Sequence, residues 1–427
     1  MKEIIKTVIK DFHKSELPAF KERSLTVPLN SGKIISLIGS RRTGKTYYLY
    51  QLISKLLLTV NKENILYINF EDERLNLKSE DLHLIIDAYY ELYPENKDSL
   101  YIFFDEVQNI SNWEKFVRRL YDTVSKNIII TGSSSKLLGK EIASSLRGRA
   151  IWYELFPLTF SEYLHFQNID ADDRYSSRNK AKIVKAYANY LFNGGFPEVI
   201  FYDAQLRLKT LQSYLDVMIY RDIIEKYDVK NSASLRYFIK KSLANVSNTI
   251  SVNKLFNELK SLGVKISKDT IYDYINYVQD CYLLYLVNIY SESINVQQTN
   301  EKKLYCVDTG LVNSVSFKFS QNTGRMLENE VFMQLRSKGE QVFYYKRKNE
   351  CDFVVQRNEK IYAAYQVAFE LNETNRERET KGLLEALNFF QLDEGYILTM
   401  DQTDNIEMEG KLLKVRPVWM WSLECID

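Results

Sequence analysis

Proline and glycine are scarce in this chain of 427 residues, at 6 and 15, which excludes collagen-like and Pro/Gly-rich disordered architectures. Histidine occurs only as His13, His83 and His165, and cysteine only as Cys281, Cys306, Cys351 and Cys425. No CxxC pair or Cys/His cluster is present, so a zinc site is not expected, and the thiols read as free groups in a reducing compartment. No stretch approaches about 18 uncharged apolar residues. The opening Met1-Lys-Glu-Ile-Ile-Lys has no apolar core or cleavage site of a secretory leader. No membrane span is expected, and the location expected is cytoplasmic. Charge of one sign is lacking too: 57 basic against 56 acidic residues leave +1, so any attraction to nucleic acid must come from a local patch. What is there suits an ordinary globular protein with real cores, at 45% hydrophobic and 26% charged. The length predicts several domains.

Apolar runs mark the first of them. Gly32–Gly39, Ile65–Phe70, Leu100–Phe104 and Asn127–Thr131 read as short buried strands. The segments between them read as helices; Leu49, Leu52, Ile53, Leu56 and Leu57 fall on one face. Such alternation predicts a parallel sheet covered on both sides. From about Ser161 the strand signals fade, and Lys180–Phe192 and Ala204–Tyr227 read as helices separated by Asn193-Gly-Gly-Phe-Pro197. Ser251 and Ser267 then cap two helices, Gly263 ends the first, and strands are expected at Leu283–Ile289 and Lys303–Val307. That order predicts a helix–turn–helix with a two-stranded wing. The last ~110 residues read as a separate α/β module.

Gly39-Ser40-Arg41-Arg42-Thr43-Gly44-Lys45-Thr46 fits the phosphate-loop pattern G-x-x-x-x-G-K-[ST] between a strand and a helix. The glycines allow backbone N–H groups to curl around phosphates, at a helix N-terminus that favours negative charge. Lys45 is expected to reach the β/γ-phosphates of ATP, and the Thr46 hydroxyl to coordinate Mg²⁺. Ile102-Phe-Phe-Asp105-Glu106 is the partner strand: Asp105 as the second Mg²⁺ residue, Glu106 polarising the attacking water. Ser133, in Thr131-Gly-Ser133-Ser134-Ser135, is expected to sense the γ-phosphate at a strand end. Arg149, in Arg147-Gly-Arg149, is the candidate arginine finger; a surface basic pair is the alternative.

With these motifs the chain resembles the AAA+ ATPases of archaea and bacteria related to initiator and STAND NTPases, fused to a winged helix and a restriction-endonuclease-like domain. Phe104-Asp-Glu-Val-Gln108, Leu146-Arg-Gly-Arg149, Phe156-Pro-Leu-Thr-Phe160, Asn193–Val199, Tyr220-Arg-Asp-Ile223, Lys303–Leu311 and Cys351–Val355 extend the likeness along nearly the whole chain. It implies a P-loop core over 1–160, a helical lid over 161–230, a winged helix over 231–315 and a degenerate PD-(D/E)XK module over 316–427. It also implies Pro197 packing near adenine, and Arg221 either as a second phosphate sensor or paired with Asp222 or Asp216. Assembly into a homo-oligomeric ring, a hexamer among the options, and DNA as a partner follow from the same likeness.

In the last module Glu330, Asp352, Gln366 and Ala368 stand where a nuclease carries its Glu, Asp, Glu and Lys. Gln366 is a weak metal ligand and Ala368 offers no donor, so a non-cleaving domain is expected. It could still hold DNA through Tyr344-Tyr-Lys-Arg-Lys348. The segment expected to be winged nearly balances its charges and exposes Lys268, Asp269, Tyr272, Asp273 and Asn276 on its second helix, a weak major-groove reader. The leading expectation is an Mg²⁺-dependent ATPase coupled to DNA handling; the alternatives are an ATP-gated switch of STAND type and an active metal-dependent nuclease.

Overall fold

The computed structural model describes residues 1–95, 100–133, 145–174, 176–315 and 323–424. The chain forms two compact units, Met1–Phe156 and Pro157–Asp427.

In the first unit, α1 (Lys2–Lys14) precedes β1 (Ile34–Ile38), α2 (Lys45–Leu56), β2 (Ile65–Asn69), α3 (His83–Leu92), β3 (Tyr101–Asp105), α4 (Trp113–Thr123), β4 (Asn127–Gly132) and β5 (Ala150–Glu154). The strands form one parallel sheet in the order β2-β3-β4-β1-β5. Every residue of β1 is buried, as expected of a strand with helices on both faces. Leu49, Leu52 and Ile53 of α2 pack on Ile35, Leu37, Phe103 and Ile129 of the sheet. The sequence pattern does not single out β5, because it is an edge strand with Ile151 and Trp152 exposed. Pairing of Ile38 with Gly132 and of Asn69 with Asp105 brings the carboxyl ends of four strands to one edge.

The second unit opens with α5 (Phe160–Phe166), α6 (Ser177–Asn193) and α7 (Ala204–Val217), the last continuing as a π-helix over Met218–Glu225. Then come α8 (Ser232–Ala244), β6 (Thr249–Ile250), α9 (Val252–Ser261), α10 (Lys268–Asp280), β7 (Leu284–Val287), α11 (Ile294–Thr299) and β8 (Lys302–Cys306). Ser251 and Ser267 cap α9 and α10 through the backbone N–H groups of Lys254 and Thr270. The three strands form an antiparallel sheet in the order β6-β8-β7.

After α12 (Thr309–Val315) and α13 (Thr323–Ser337), β9 (Gln341–Lys346), β10 (Glu350–Arg357), β11 (Lys360–Val367), α14 (Arg376–Phe390), β12 (Glu394–Thr399), β13 (Asp404–Met408), β14 (Lys411–Pro417) and α15 (Val418–Glu424) complete the chain. The sheet order is β13-β14-β12-β11-β10-β9; β9, β10 and β11 are antiparallel neighbours, and β12 runs parallel to β11 after the α14 crossover. Cys281, Cys306 and Cys351 are free and buried; Cys425 lies outside the described residues. Among the described residues no helix is long and apolar enough to cross a membrane.

Two glycine-bearing turns lock together inside the second unit. Asp308 is buried, and its carboxylate accepts from Gly195 N at 2.6 Å and Leu311 N at 3.1 Å. A Cβ on Gly194 would meet that carboxylate at 2.1 Å, and one on Gly310 would meet the Asn193 carbonyl oxygen at 2.2 Å. Gly194 is therefore required because the Asp308 carboxylate fills its Cβ position, and Gly310 because the Asn193 backbone does.

Candidate nucleotide site

The loop from Gly39 to Gly44 connects β1 to α2. Gly39 is held at φ +141°, with the Leu155 carbonyl oxygen 2.3 Å from where a Cβ would be, and Gly44 at φ +91° caps α2. Thr43 is buried and donates to the Ser40 carbonyl at 3.0 Å. Arg41 approaches Glu71 at 3.6 Å, and Arg42 adopts φ +66° on the exposed side of the loop. Arg23 supports the loop from below: its guanidinium donates to the carbonyls of Thr43 and Phe156, both at 2.8 Å, and its backbone is paired with Gln51. Arg23 lies in the polar connection before β1, where no local pattern marks it.

Lys45 is buried, and its ammonium donates to the carbonyls of Gly39 at 3.2 Å and Ser40 at 3.0 Å while lying 3.7 Å from Glu106. The Thr46 hydroxyl donates to Asp105 Oδ2 at 2.7 Å, Tyr67 donates to the same oxygen at 3.2 Å, and Thr131 donates to Oδ1. Burial raises the Asp105 carboxyl above its usual range, opposed by the bonds from Thr131 and Thr46. Thr131 also accepts from Glu106 N at 2.9 Å, so one hydroxyl fixes both acidic residues.

Glu106 follows β3 in a left-handed conformation, φ +53° and ψ +50°. Burial alone would raise its carboxyl, but Lys45, Gln108, Arg41 and Ser133 together hold it below the usual range. A carboxyl held there is ionised at neutral pH. Gln108 donates to Glu106 and lies 3.3 Å from the buried Ser133 hydroxyl. The sheet edge thereby gathers Gly39–Thr46, Asp105, Glu106 and Ser133. Thr131, Gln108 and Tyr67 complete it. The first two stand inside motifs already quoted, but only a fold shows that a threonine two residues before Ser133 reaches β3. Ser134 and Ser135 lie outside the described residues.

The donor set fits a magnesium nucleotide. The Ser40 Oγ is buried without a hydrogen-bond partner, and the Lys45 ammonium and the Thr46–Asp105 pair flank the same helix N-terminus, where phosphate oxygens are favoured.

Arg149 is elsewhere. It immediately precedes β5, and its backbone oxygen accepts from Ile34 N at the start of β1, so it lies at the opposite sheet end from the loop. Its guanidinium holds Asp122 in a two-pronged pair at 3.0 and 3.1 Å. Pro197 is half-buried in the turn whose Gly195 N–H is bound by Asp308. Arg221 is exposed on the π-helix; Asp216, one partner expected for it, pairs with Arg236 at 3.1 Å.

Two expectations for the last module are corrected. Glu330 is not beside Asp352: it is buried 3.1 Å from the Tyr190 hydroxyl, and its neighbour Glu328, two residues earlier on α13, shares a centre with Asp352. Tyr344 and Tyr345 are 2% exposed, bonded to the Glu301 carbonyl and to Glu385, so neither ring is available for base stacking.

Residues 31–164 match the AAA domain family, residues 184–322 the domain of unknown function DUF8612 and residues 323–420 the domain of unknown function DUF4143. Similar solved structures include the Walker-type ATPase PABY2304 of Pyrococcus abyssi, at 15% identity and TM-score 0.43 over 74% of this chain and 95% of that one. Cdc6p of Pyrobaculum aerophilum aligns at 13% identity and TM-score 0.25, over 74% and 91%. An uncharacterized protein of Haemophilus influenzae is 31% identical over 399 residues, covering 92% of this chain and 94% of its own. Uncharacterized protein MJ1544 of Methanocaldococcus jannaschii is 40% identical over 415 residues, covering 94% of this chain and 90% of its own. The chain belongs to the family of MJ1544, and its N-terminal unit is a P-loop AAA domain.

Proposed function

We propose that the protein is an Mg²⁺-dependent ATPase that assembles into oligomers and couples its nucleotide state to DNA. The observation that supports it most is the convergence of Lys45, Thr46, Asp105, ionised Glu106 and Ser133 on one sheet edge. In this reading the loop N–H groups and Lys45 hold the β- and γ-phosphates. Thr46 and Asp105 hold Mg²⁺, which supplies charge neutralisation at the phosphates. Glu106, aimed by Thr131 and Gln108, orients water and takes its proton, and Ser133 contacts the γ-phosphate end of the pocket. Arg149 serves a neighbouring protomer.

The DNA half rests on the second unit. Its α8-β6-α9-α10-β7-α11-β8 order with a β6-β8-β7 sheet suits a winged helix, and α13-β9-β10-β11-α14-β12 suits a restriction-endonuclease-like core. With Tyr344 and Tyr345 buried, the contribution left to the basic turn is phosphate contact by Lys346, Arg347 and Lys348. The test is ATP turnover measured without DNA and with duplex, single-stranded and branched DNA at low salt. Turnover that rises with one DNA form supports the whole reading. Magnesium-dependent turnover indifferent to every DNA, with none bound, removes the DNA half and leaves an ATP-gated switch.

A further inference from the structure

At the junction of β8, α13 and β10 three carboxylates converge on one cation. The Lys303 Nζ lies 2.8 Å from Asp352 Oδ1, 2.9 Å from Glu350 Oε1 and 3.2 Å from Glu328 Oε1. Lys303 is 3% exposed, an unusual place for a lysine unless it is paired. The carboxylates are themselves held: Asp352 Oδ2 accepts from Val367 N at 2.9 Å, and Glu328 accepts from the Tyr305 hydroxyl at 2.7 Å.

The carboxylates come from α13 and β10, whereas the ammonium is delivered by a strand of the other, three-stranded sheet. An ammonium with three oxygen neighbours near 3 Å resembles a small hard cation in charge sign and ligand type. Its distances are longer than the about 2.0–2.6 Å of Mg²⁺ or Ca²⁺ to oxygen. Among the described residues no group of three or more His, Cys, Asp or Glu is disposed to hold a metal ion. Gln366, which could have turned toward the centre, instead donates to Glu379 and takes the Asp352 N–H on its carbonyl at 3.3 Å.

We propose that Lys303 is a tethered cation that takes the place of a divalent metal among Glu328, Glu350 and Asp352, so that the C-terminal module is kept metal-free by the chain itself. Where Lys303 is removed, Glu328 and Asp352 lose their cation and Glu350 keeps Lys346, at 3.1 Å. The inference is independent of the nucleotide reading.

The test is Mn²⁺ binding to the full chain without nucleotide, followed by the electron paramagnetic resonance of free Mn²⁺. The native chain and Asp352→Asn are expected to give superimposable titrations. Lys303→Met is expected to gain a Mn²⁺ site, with a rise in melting temperature on adding Mn²⁺, and Lys303→Met/Asp352→Asn to lose both. A native Mn²⁺ site abolished by Asp352→Asn overturns the proposal, as does a folded Lys303→Met that takes no metal. Should Lys303→Met fail to fold, acetylation of the native chain mapped by mass spectrometry decides. Lys303 is expected to stay protected, with and without Mn²⁺, under conditions that modify Lys346, whose side chain is 55% exposed. Mn²⁺-induced labelling of Lys303 would show a metal displacing it and overturn the proposal.

Discussion

Glu106 holds a left-handed backbone conformation that costs a residue bearing a Cβ roughly 1–2 kcal/mol. The strain is offset by the bond from its N–H to Thr131 and by the electrostatic grip of Lys45. A carboxylate fixed this way is aimed, and Glu106→Gln keeps its shape while removing its basicity. ATP affinity is expected to stay within a few-fold of native while turnover falls by about 10²–10⁴, checked by equilibrium binding beside steady-state phosphate release. Normal turnover in Glu106→Gln would assign the water-activating role elsewhere.

Thr131 makes a complementary case. Thr131→Val preserves volume but leaves Asp105 Oδ1 and Glu106 N without their partner. Unsatisfied buried groups cost about 1–3 kcal/mol each, so urea denaturation is expected to show a loss of that order, with turnover reduced as the glutamate loses its aim. Unchanged stability would mean that the two acidic residues are fixed by Thr46, Tyr67 and Gln108 alone.

At the scale of elements, what could be read in advance was what lies close along the chain. The phosphate loop fits between β1 and α2 because its residues are contiguous, and α9 and α10 announce themselves through Ser251 and Ser267. The clasp of Gly195 by Asp308 joins residues 113 apart, and nothing local marks either partner as buried. The exchange of Glu330 for Glu328 has the same origin: two acids two positions apart on a helix face different neighbours, and the choice between them is made by tertiary packing.

That packing leaves a pH signature. Burial, with Asp308 adding to it and Tyr190 opposing, pushes the Glu330 carboxyl from 4.5 up to about 8. Below 4.5 folded and unfolded chains both carry the proton. Between 4.5 and about 8 only the folded chain keeps it, so this group's contribution makes stability fall as pH rises. Glu330→Gln imitates the protonated acid at every pH. It is expected to match native stability at pH 4 and to exceed it by on the order of 3–5 kcal/mol at pH 8. Denaturation at several pH values checks the slope; parallel curves would mean that Glu330 is ionised in the folded chain.

For the whole molecule the decisive residue is Arg149. About 15–20 Å of strand separates it from the phosphate loop of its own protomer, since it stands before the β1–β5 pairing begins and the loop follows where it ends. An arginine there acts on a nucleotide only across an interface. Its pair with Asp122 is partly exposed, with side chains 31% and 46% accessible, and such pairs contribute about 0–1 kcal/mol. Arg149→Ala is therefore expected to fold and bind ATP like the native chain, yet turn it over slowly. Mixed with Lys45→Ala subunits, which retain Arg149 but lack the phosphate-holding amine, it is expected to regain turnover, because each intact loop then meets an intact arginine on its neighbour. The titration also carries information on assembly. Recovered turnover should depend on total protein concentration if subunits exchange, and should track the fraction of mixed oligomers seen by native mass spectrometry. Full turnover by Arg149→Ala alone, or mixed oligomers that show no rescue, would leave Arg149 as the surface partner of Asp122 and return the assembly itself to question.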